Sequence, residues 1–409
     1  MDTPLPKLRS IEAFPVDVEA KPLVLLRDPM RYAATPLLVP YPAFFILTLL
    51  DGRRSARDVQ QAFTRQYGTS LDGGELDQLL ATLDEHHFLD SARFDARRVA
   101  VDAGFHDAPV RAAAHAGTSY PDDAAALRAH LDGFYVELAT ASPRGRLAGL
   151  VAPHIDLRVG GRAYGHAYAA VAAAPAARYV ILGTSHVSGA TRFTATRKDF
   201  ATPLGTVPTD RDFLDRLEAR LAANPHGERL YEDEVLHRTE HAVEFQAVML
   251  QHALGGRQAF TIVPILVTSF SDLIERGASP TDDSRIAAFL DALRATLADD
   301  DVPTVIVAGV DFAHVGAKFG DHEGLTPELL ATTAAKDRQL LAALEHGDPR
   351  AFLAALAADA DHTRICGAAP LLVFLELMRG VRGHVLCHEQ SRDDGTRSTV
   401  TYASLAFPA

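Results

Sequence analysis

The chain has 409 residues, with 40 Lys and Arg against 53 Asp and Glu and only two cysteines. Its 47% hydrophobic and 23% charged residues are those of a packed globular protein, and the length predicts two or three domains. A net charge of −13 leaves no basic excess for a nucleic-acid footprint, and two cysteines exclude a disulfide framework, which predicts a reducing compartment.

Residues 1–21 carry acids and prolines without the apolar run of a signal peptide. The apolar stretch 33–50 is broken by Pro36, Pro40 and Pro42 and is shorter than the roughly 20 residues of a membrane helix. The expectation is a cytoplasmic, soluble protein with no membrane partner. Residues 1–95 read as a unit of their own. Ser55 and Asp58 predict a capping box for a helix carrying Val59, Ala62, Phe63 and Tyr67, and Gly68 sits where its C-terminal cap belongs. Leu76, Leu79, Leu80 and Leu83 predict a second helix. Two short helices preceded by extended apolar segments predict a winged-helix-like module. With Leu50-Asp51-Gly52-Arg53 before the first helix and His87-Phe88-Leu89 after the second, residues 20–95 resemble the PqqD-like peptide-recognition fold. That resemblance implies a peptide partner, and the acidic charge disfavours DNA.

Periodicity lapses in the Ala-, Asp- and Arg-rich stretch that follows, and 96–114 reads as a linker. From 115 to 409, apolar runs alternate with helical patterns. Strands are expected at 147–152, 178–182, 260–267, 304–310 and 384–387, and helices at 161–174, 240–253, 283–298, 326–345 and 368–378. The alternation predicts an α/β fold, a mostly parallel or mixed sheet flanked by helices.

Ligands of such folds sit beyond the carboxyl ends of the strands. Three expected strands end in histidine segments: Pro153-His154-Ile155-Asp156, Gly183-Thr184-Ser185-His186 and Asp311-Phe312-Ala313-His314. One such histidine is ordinarily a polar loop residue; three in equivalent places point to a shared site. His241 and Glu244, at i and i+3, project from one face at the start of an otherwise apolar helix. Cys366 stands just before a helix, where the dipole stabilises a thiolate. Cys387, inside the last apolar strand, has the setting of an inert thiol. His154, His186 and Cys366 together offer two imidazoles and a thiolate, a set suited to a first-row metal with open positions.

Several of these segments resemble those of the Memo-like proteins, relatives of the class III extradiol (LigB-type) dioxygenases. They are Ala116-Gly117-Thr118-Ser119-Tyr120-Pro121, Ala152-Pro153-His154-Ile155-Asp156, Leu182-Gly183-Thr184-Ser185-His186, Glu240-His241-Ala242-Val243-Glu244-Phe245-Gln246, Asp311-Phe312-Ala313-His314 and Ile365-Cys366-Gly367. The resemblance is to the AmmeMemoRadiSam system protein B type. It implies metal ligands at His154, His186 and Cys366, and further active-site groups at His241, Glu244, Asp311 and His314. Two departures stand out. Ile155-Asp156 replaces the usual Ala-Gly, bringing a carboxylate beside the first ligand, and Val248-Met249 replaces Leu-Pro.

The resemblance further implies one transition metal ion, Fe(II) first, with copper or zinc acceptable, and His241 or His314 as acid/base. The leading expectation is a metal-dependent oxidoreductase acting on a small molecule or on a peptide presented by the N-terminal module. A non-catalytic metal- or peptide-binding scaffold is the alternative, and a zinc hydrolase with Glu244 as base a third. Radical SAM and AMMECR-type proteins are the partners the resemblance implies.

Overall fold

The computed structural model describes residues 3–19, 21–136, 138 and 145–409. The chain divides into two compact units, Met1–Asp107 and Ala108–Ala409.

In the first unit, the described residues place strands β1 (Glu12–Val18), β2 (Lys21–Arg27) and β3 (Leu37–Pro40) in an antiparallel sheet of that order. Helices α1 (Tyr41–Leu49), α2 (Ala56–Tyr67), α3 (Gly73–Glu85) and α4 (Ala92–Asp107) follow. The capping box forms at α2: Ser55 Oγ accepts from the Asp58 N–H, while the Asp58 carboxylate accepts from the Ser55 N–H. Gly68 closes that helix at φ 71°, a backbone region that favours glycine. Val24, Leu26, Leu47, Leu83 and Phe88 share one core.

Two expectations for this unit are corrected. The apolar stretch expected to be extended turns helical at Tyr41, because Pro40 is the N-cap and Pro42 lies in the first turn, where a missing N–H costs nothing. The expected linker is mostly helix α4. Its sequence lacks apolar periodicity because only two side chains, Phe94 and Phe105, are buried in it. Ala and Arg supply its helix propensity instead. Phe94 packs edge-on against Tyr32, with ring centroids 5.6 Å apart, and the Arg9 guanidinium lies 3.7 Å over its centroid. The Tyr32 hydroxyl donates to Asp102 at 2.8 Å.

The second unit opens with β4 (Val110–Arg111), α5 (Ala124–Asp132), β5 (Leu147–Ala152), α6 (Leu157–Ala173) and β6 (Arg178–Thr184). Short strands β7 (Phe193–Ala195), β8 (Asp199–Thr202) and β9 (Gly205–Val207) precede α7 (Arg211–Ala223), α8 (Ala242–Leu254) and β10 (Thr261–Val267). Next come α9 (Ser271–Ile274), α10 (Ser284–Leu297), β11 (Thr304–Gly309), β12 (His314–Gly316) and α11 (Pro327–Glu345). The unit ends with α12 (Pro349–Ala357), α13 (Ala368–Leu377), β13 (His384–Asp393) and β14 (Ser398–Pro408).

The main sheet is mixed. Strands β5, β11, β6 and β10 are parallel neighbours in that order. Antiparallel β14 lies beside β5 and carries β12 and β13, and antiparallel β7 closes the other edge. Helices α6 and α8 cover one face; α10 and α13 pack on the other. Every residue of β6 is buried, which explains its continuous apolar run. The close seat of α8 depends on small residues beneath it. A Cβ on Gly309 would lie 2.9 Å from the Ala242 carbonyl oxygen and 3.0 Å from Gln246 Nε2. Among the described residues, no helix is long and apolar enough to cross a membrane.

A fragment of residues 1–107 is expected to unfold cooperatively in urea. A fragment ending at residue 95 should have a midpoint lowered by at least about 1 M, since it loses Phe105 and the Tyr32–Asp102 bond. Equal midpoints would show that α4 is not part of the unit's core.

Candidate metal centre

The three central strand ends and the start of α8 converge on a set of imidazoles. His154 follows β5 and is buried. Its Nδ1 lies 3.0 Å from the Gly309 carbonyl oxygen at the end of β11. A carbonyl only accepts, so Nδ1 carries the proton and Nε2 presents a lone pair. That Nε2 is 3.2 Å from Cys366 Sγ. Burial, with His186 and His241 close by, holds the His154 pKa well below the ordinary value and keeps the ring neutral.

His186 follows β6, and His241 is the N-cap residue of α8. Both rings rest on one buried carboxylate, Glu240. His186 Nδ1 lies 3.0 and 3.1 Å from its two oxygens, and the His186 N–H donates to Oε2 at 2.9 Å. His241 Nδ1 is 3.0 Å from Oε1, which also accepts the backbone N–H groups of His241 and Ala242. Burial opposes charge on Glu240, yet the two imidazoles hold its carboxyl well below the usual range. Desolvation likewise opposes charge on His186, but Glu240 and the Cys366 sulfur raise its pKa well above the ordinary value. The His186 and His241 rings stack at 4.7 Å and 20°, and His154 meets each edge-on at 4.9 and 5.1 Å. One donor atom from each of His154, His186 and His241 lies within 4.8 Å of the other two.

Cys366 precedes the N-cap Gly367 of α13. Desolvation pushes the Cys366 thiol up, the Asp311 carboxyl adds to that, and His186 only partly offsets it. Gly367 permits the close approach: a Cβ there would sit 2.6 Å from Val310 Cβ. The other expected residues lie as follows. Asp311 Oδ1 accepts the backbone N–H groups of His154 at 3.0 Å and Ile155 at 3.1 Å, fixing the loop after β5. Burial raises its pKa to about 7. His314 opens β12 with Nδ1 3.0 Å from the Phe312 carbonyl oxygen, and burial lowers its pKa to about 4. Asp156 caps α6 and pairs through both oxygens with Arg158 at 2.8 Å. Cys387 is buried against Ala163 and Tyr402, and burial pushes its thiol up to about 11.

His241 has helical backbone at the N-cap of α8 and its carbonyl accepts the Phe245 N–H at 3.0 Å, so it keeps the i, i+3 relation to Glu244. The Glu244 carboxylate accepts from Arg111, the Tyr120 hydroxyl, the Ala114 N–H at 3.0 Å and the His115 N–H at 2.9 Å. Arg111 also donates to the carbonyls of His237 and Glu240, each at 2.7 Å. Sequence reasoning missed three members of this region: Glu240, Arg111 and His115, whose ring lies 5.5 Å from that of His241.

The family description "Memo-like protein" matches residues 111–406, so the chain belongs to the Memo-like family. A MEMO1 family protein of Aquifex aeolicus is 28% identical over 94% of this chain and 95% of its own length. A second from Thermus thermophilus is 28% identical over 87% and 99%. Human Protein MEMO1 is 27% identical over 65% of this chain and 83% of its own length. The Aquifex alignment spans 392 residues, so it reaches into the first unit, which the human alignment of 269 residues is too short to cover together with the second.

Arg111→Met should cost about 3–5 kcal/mol in urea unfolding at pH 7, because it strands the buried Glu244 carboxylate. Burial opposes the Glu244 charge, but Arg111 holds its pKa below 4.5. A depressed folded pKa gives stability that is full above the unfolded value and lost as pH falls through the folded one. The wild type should therefore weaken as pH drops below about 4.5, while Glu244→Gln is weaker at pH 7 and flatter in acid. Parallel acid limbs would discard this account of the ion pair.

Proposed function

We propose that this Memo-like protein holds one first-row transition metal ion through His154, His186, His241 and Cys366 and acts as an oxidoreductase on a small molecule. The carrying observation is that all three Nδ1 nitrogens face fixed oxygens, the Gly309 carbonyl and the Glu240 carboxylate, so one nitrogen per ring is left for a ligand bond. Partners that lock ring and tautomer in this way are what histidine ligands need. Three imidazoles and a sulfur suit Fe(II), copper or zinc. Iron is the first choice, by likeness to the extradiol dioxygenases, and copper the second. Such an ion supplies Lewis-acid polarisation and, for iron or copper, redox chemistry.

The chain's own residues have separable tasks. Glu240 keeps protons on the outer nitrogens of His186 and His241. Asp311 anchors the backbone that carries His154. His314, neutral at pH 7 with its Nδ1 proton on the Phe312 carbonyl, presents Nε2 as a proton acceptor. Glu244, with its oxygens bound by Arg111, Tyr120 and backbone N–H groups, is a poor hydrolytic base, which weakens the zinc-hydrolase reading. A PqqD-like role for the first unit, presenting a peptide, belongs to the same proposal. So do radical SAM and AMMECR-type partners.

Metal analysis of protein purified without chelator tests the ligand set. His154→Ala, His186→Ala, His241→Ala and Cys366→Ala should each reduce bound metal to under about a tenth, and Glu240→Gln should weaken affinity roughly 10- to 100-fold. Cys387→Ala should retain full metal. Unaltered content in the four ligand variants would remove the site. Loaded protein should also consume oxygen with a reducing substrate, and inert loading would leave the scaffold alternative. His314→Gln should keep its metal yet slow turnover about 10²- to 10⁴-fold. Metal loss in that variant would instead make His314 a ligand.

A further inference from the structure

The loop that carries His154 is held by a series of hydrogen bonds along its backbone. The Ala152 carbonyl accepts the Val310 N–H at 2.8 Å, and the Ile155 carbonyl accepts the Tyr164 hydroxyl at 2.9 Å. Asp311 Oδ1 takes the N–H groups of His154 and Ile155. The carbonyl before the histidine, that of Pro153, accepts from Gln246 Nε2 at 2.9 Å. The peptide unit joining Pro153 to His154 is thus held at both ends by side chains, its oxygen by Gln246 and its N–H by Asp311.

Gln246 is buried in α8, and its amide has one possible orientation. Pro153 offers only an acceptor, so the nitrogen must face it and Oε1 must face Tyr168, whose hydroxyl donates at 2.6 Å. Tyr168 is buried too, and burial raises its pKa well above the ordinary value, so the hydroxyl keeps the proton it donates. Tyr164 and Tyr168 stand at i and i+4 on α6, which puts both on one face. Tyr164 reaches the carbonyl of Ile155 directly; Tyr168 reaches that of Pro153 through Gln246. Gln246 also packs on the second anchor of the ring. A Cβ on Gly309 would lie 3.0 Å from Nε2 and 3.1 Å from Cγ, and the Gly309 carbonyl is the group that meets His154 Nδ1.

We infer that Gln246 is a positioning residue of the metal centre, its amide held in register by Tyr168, and that the pair fixes the backbone from which His154 presents Nε2. This deepens the proposed function and rests on that reading for the metal itself. The relay joins α6, α8 and the loop after β5 through buried hydrogen bonds and includes none of the ligand atoms. Without the Tyr168 hydroxyl, Gln246 Oε1 is buried with no donor, the amide is free to turn, and the bond to Pro153 weakens with it. Without the Gln246 amide, the Pro153 carbonyl is itself stranded, and the peptide unit before His154 keeps only its Asp311 end.

The test compares the full chain with Gln246→Met, which keeps the side-chain length and loses both hydrogen bonds, and with Tyr168→Phe, which loses one oxygen atom. Titration with Co(II), followed by absorption, should show affinity lowered roughly 10- to 100-fold in Gln246→Met and about three- to tenfold in Tyr168→Phe. The double variant should bind no more weakly than Gln246→Met, because the hydroxyl acts only through the amide. Leu214→Ala, a core truncation in α7, should lower the urea midpoint yet leave Co(II) affinity within about twofold, which separates positioning from general loss of stability. In metal-free protein, hydrogen exchange of the segment 150–157 should quicken at least about tenfold in Gln246→Met. Tyr168→Phe carries the test if Gln246→Met misfolds. Where the wild type binds Co(II), unchanged affinity in both variants, additive losses in the double variant, or an equal loss in Leu214→Ala would overturn the inference. A wild type that takes no Co(II) ends the reading of the metal centre, and unchanged exchange in both variants then ends this inference separately.

Discussion

One buried carboxylate organises the candidate centre. Glu240 receives the ring nitrogens of His186 and His241 and three backbone N–H groups, so it joins the end of β6 to the start of α8. A carboxylate taken from water needs compensating charge and hydrogen bonds. Here the compensation is the pair of imidazoles itself. Ring orientation, tautomer and inter-ring distance follow from that one group.

Glu240 is in turn held from behind. Arg111 places one guanidinium against the carbonyls of His237 and Glu240 and the carboxylate of Glu244, spanning the turn before α8. The helix can approach β11 because Gly309 has no side chain, and the Gly309 carbonyl then meets His154 Nδ1. The same glycine therefore lets α8 settle and fixes the tautomer of the third histidine. Close packing and the geometry of the candidate centre are one constraint here.

Much of this was legible in the sequence, where the residues themselves carried the signal. Continuous apolar runs marked the buried strands, and the strand-end rule located His154 and His186 beside each other. The eleven-residue β14 was missed: its polar and apolar residues mix because it packs inside the sheet between β13 and β5, with Thr399, Thr401 and Ser404 buried. Helix α4 was missed because two aromatic anchors eleven positions apart leave no 3.6-residue pattern. At the centre, the expected helix began at residue 240 and the true one at Ala242. Glu240 stands just before the helix, where its carboxylate reaches the ring of His241 that follows it.

Two glutamates four positions apart thus carry unlike duties, and their own chemistry does not distinguish them. Both are buried, and both hold their charge against burial. What differs is where their hydrogen bonds end. Those of Glu244 end on a guanidinium, a phenol and backbone N–H groups. The side-chain bonds of Glu240 end on the two imidazoles of the candidate centre. A charge fixed behind such rings alters their basicity without occupying the site. The first carboxylate is spent on the fold, and the second is positioned to act through its neighbours.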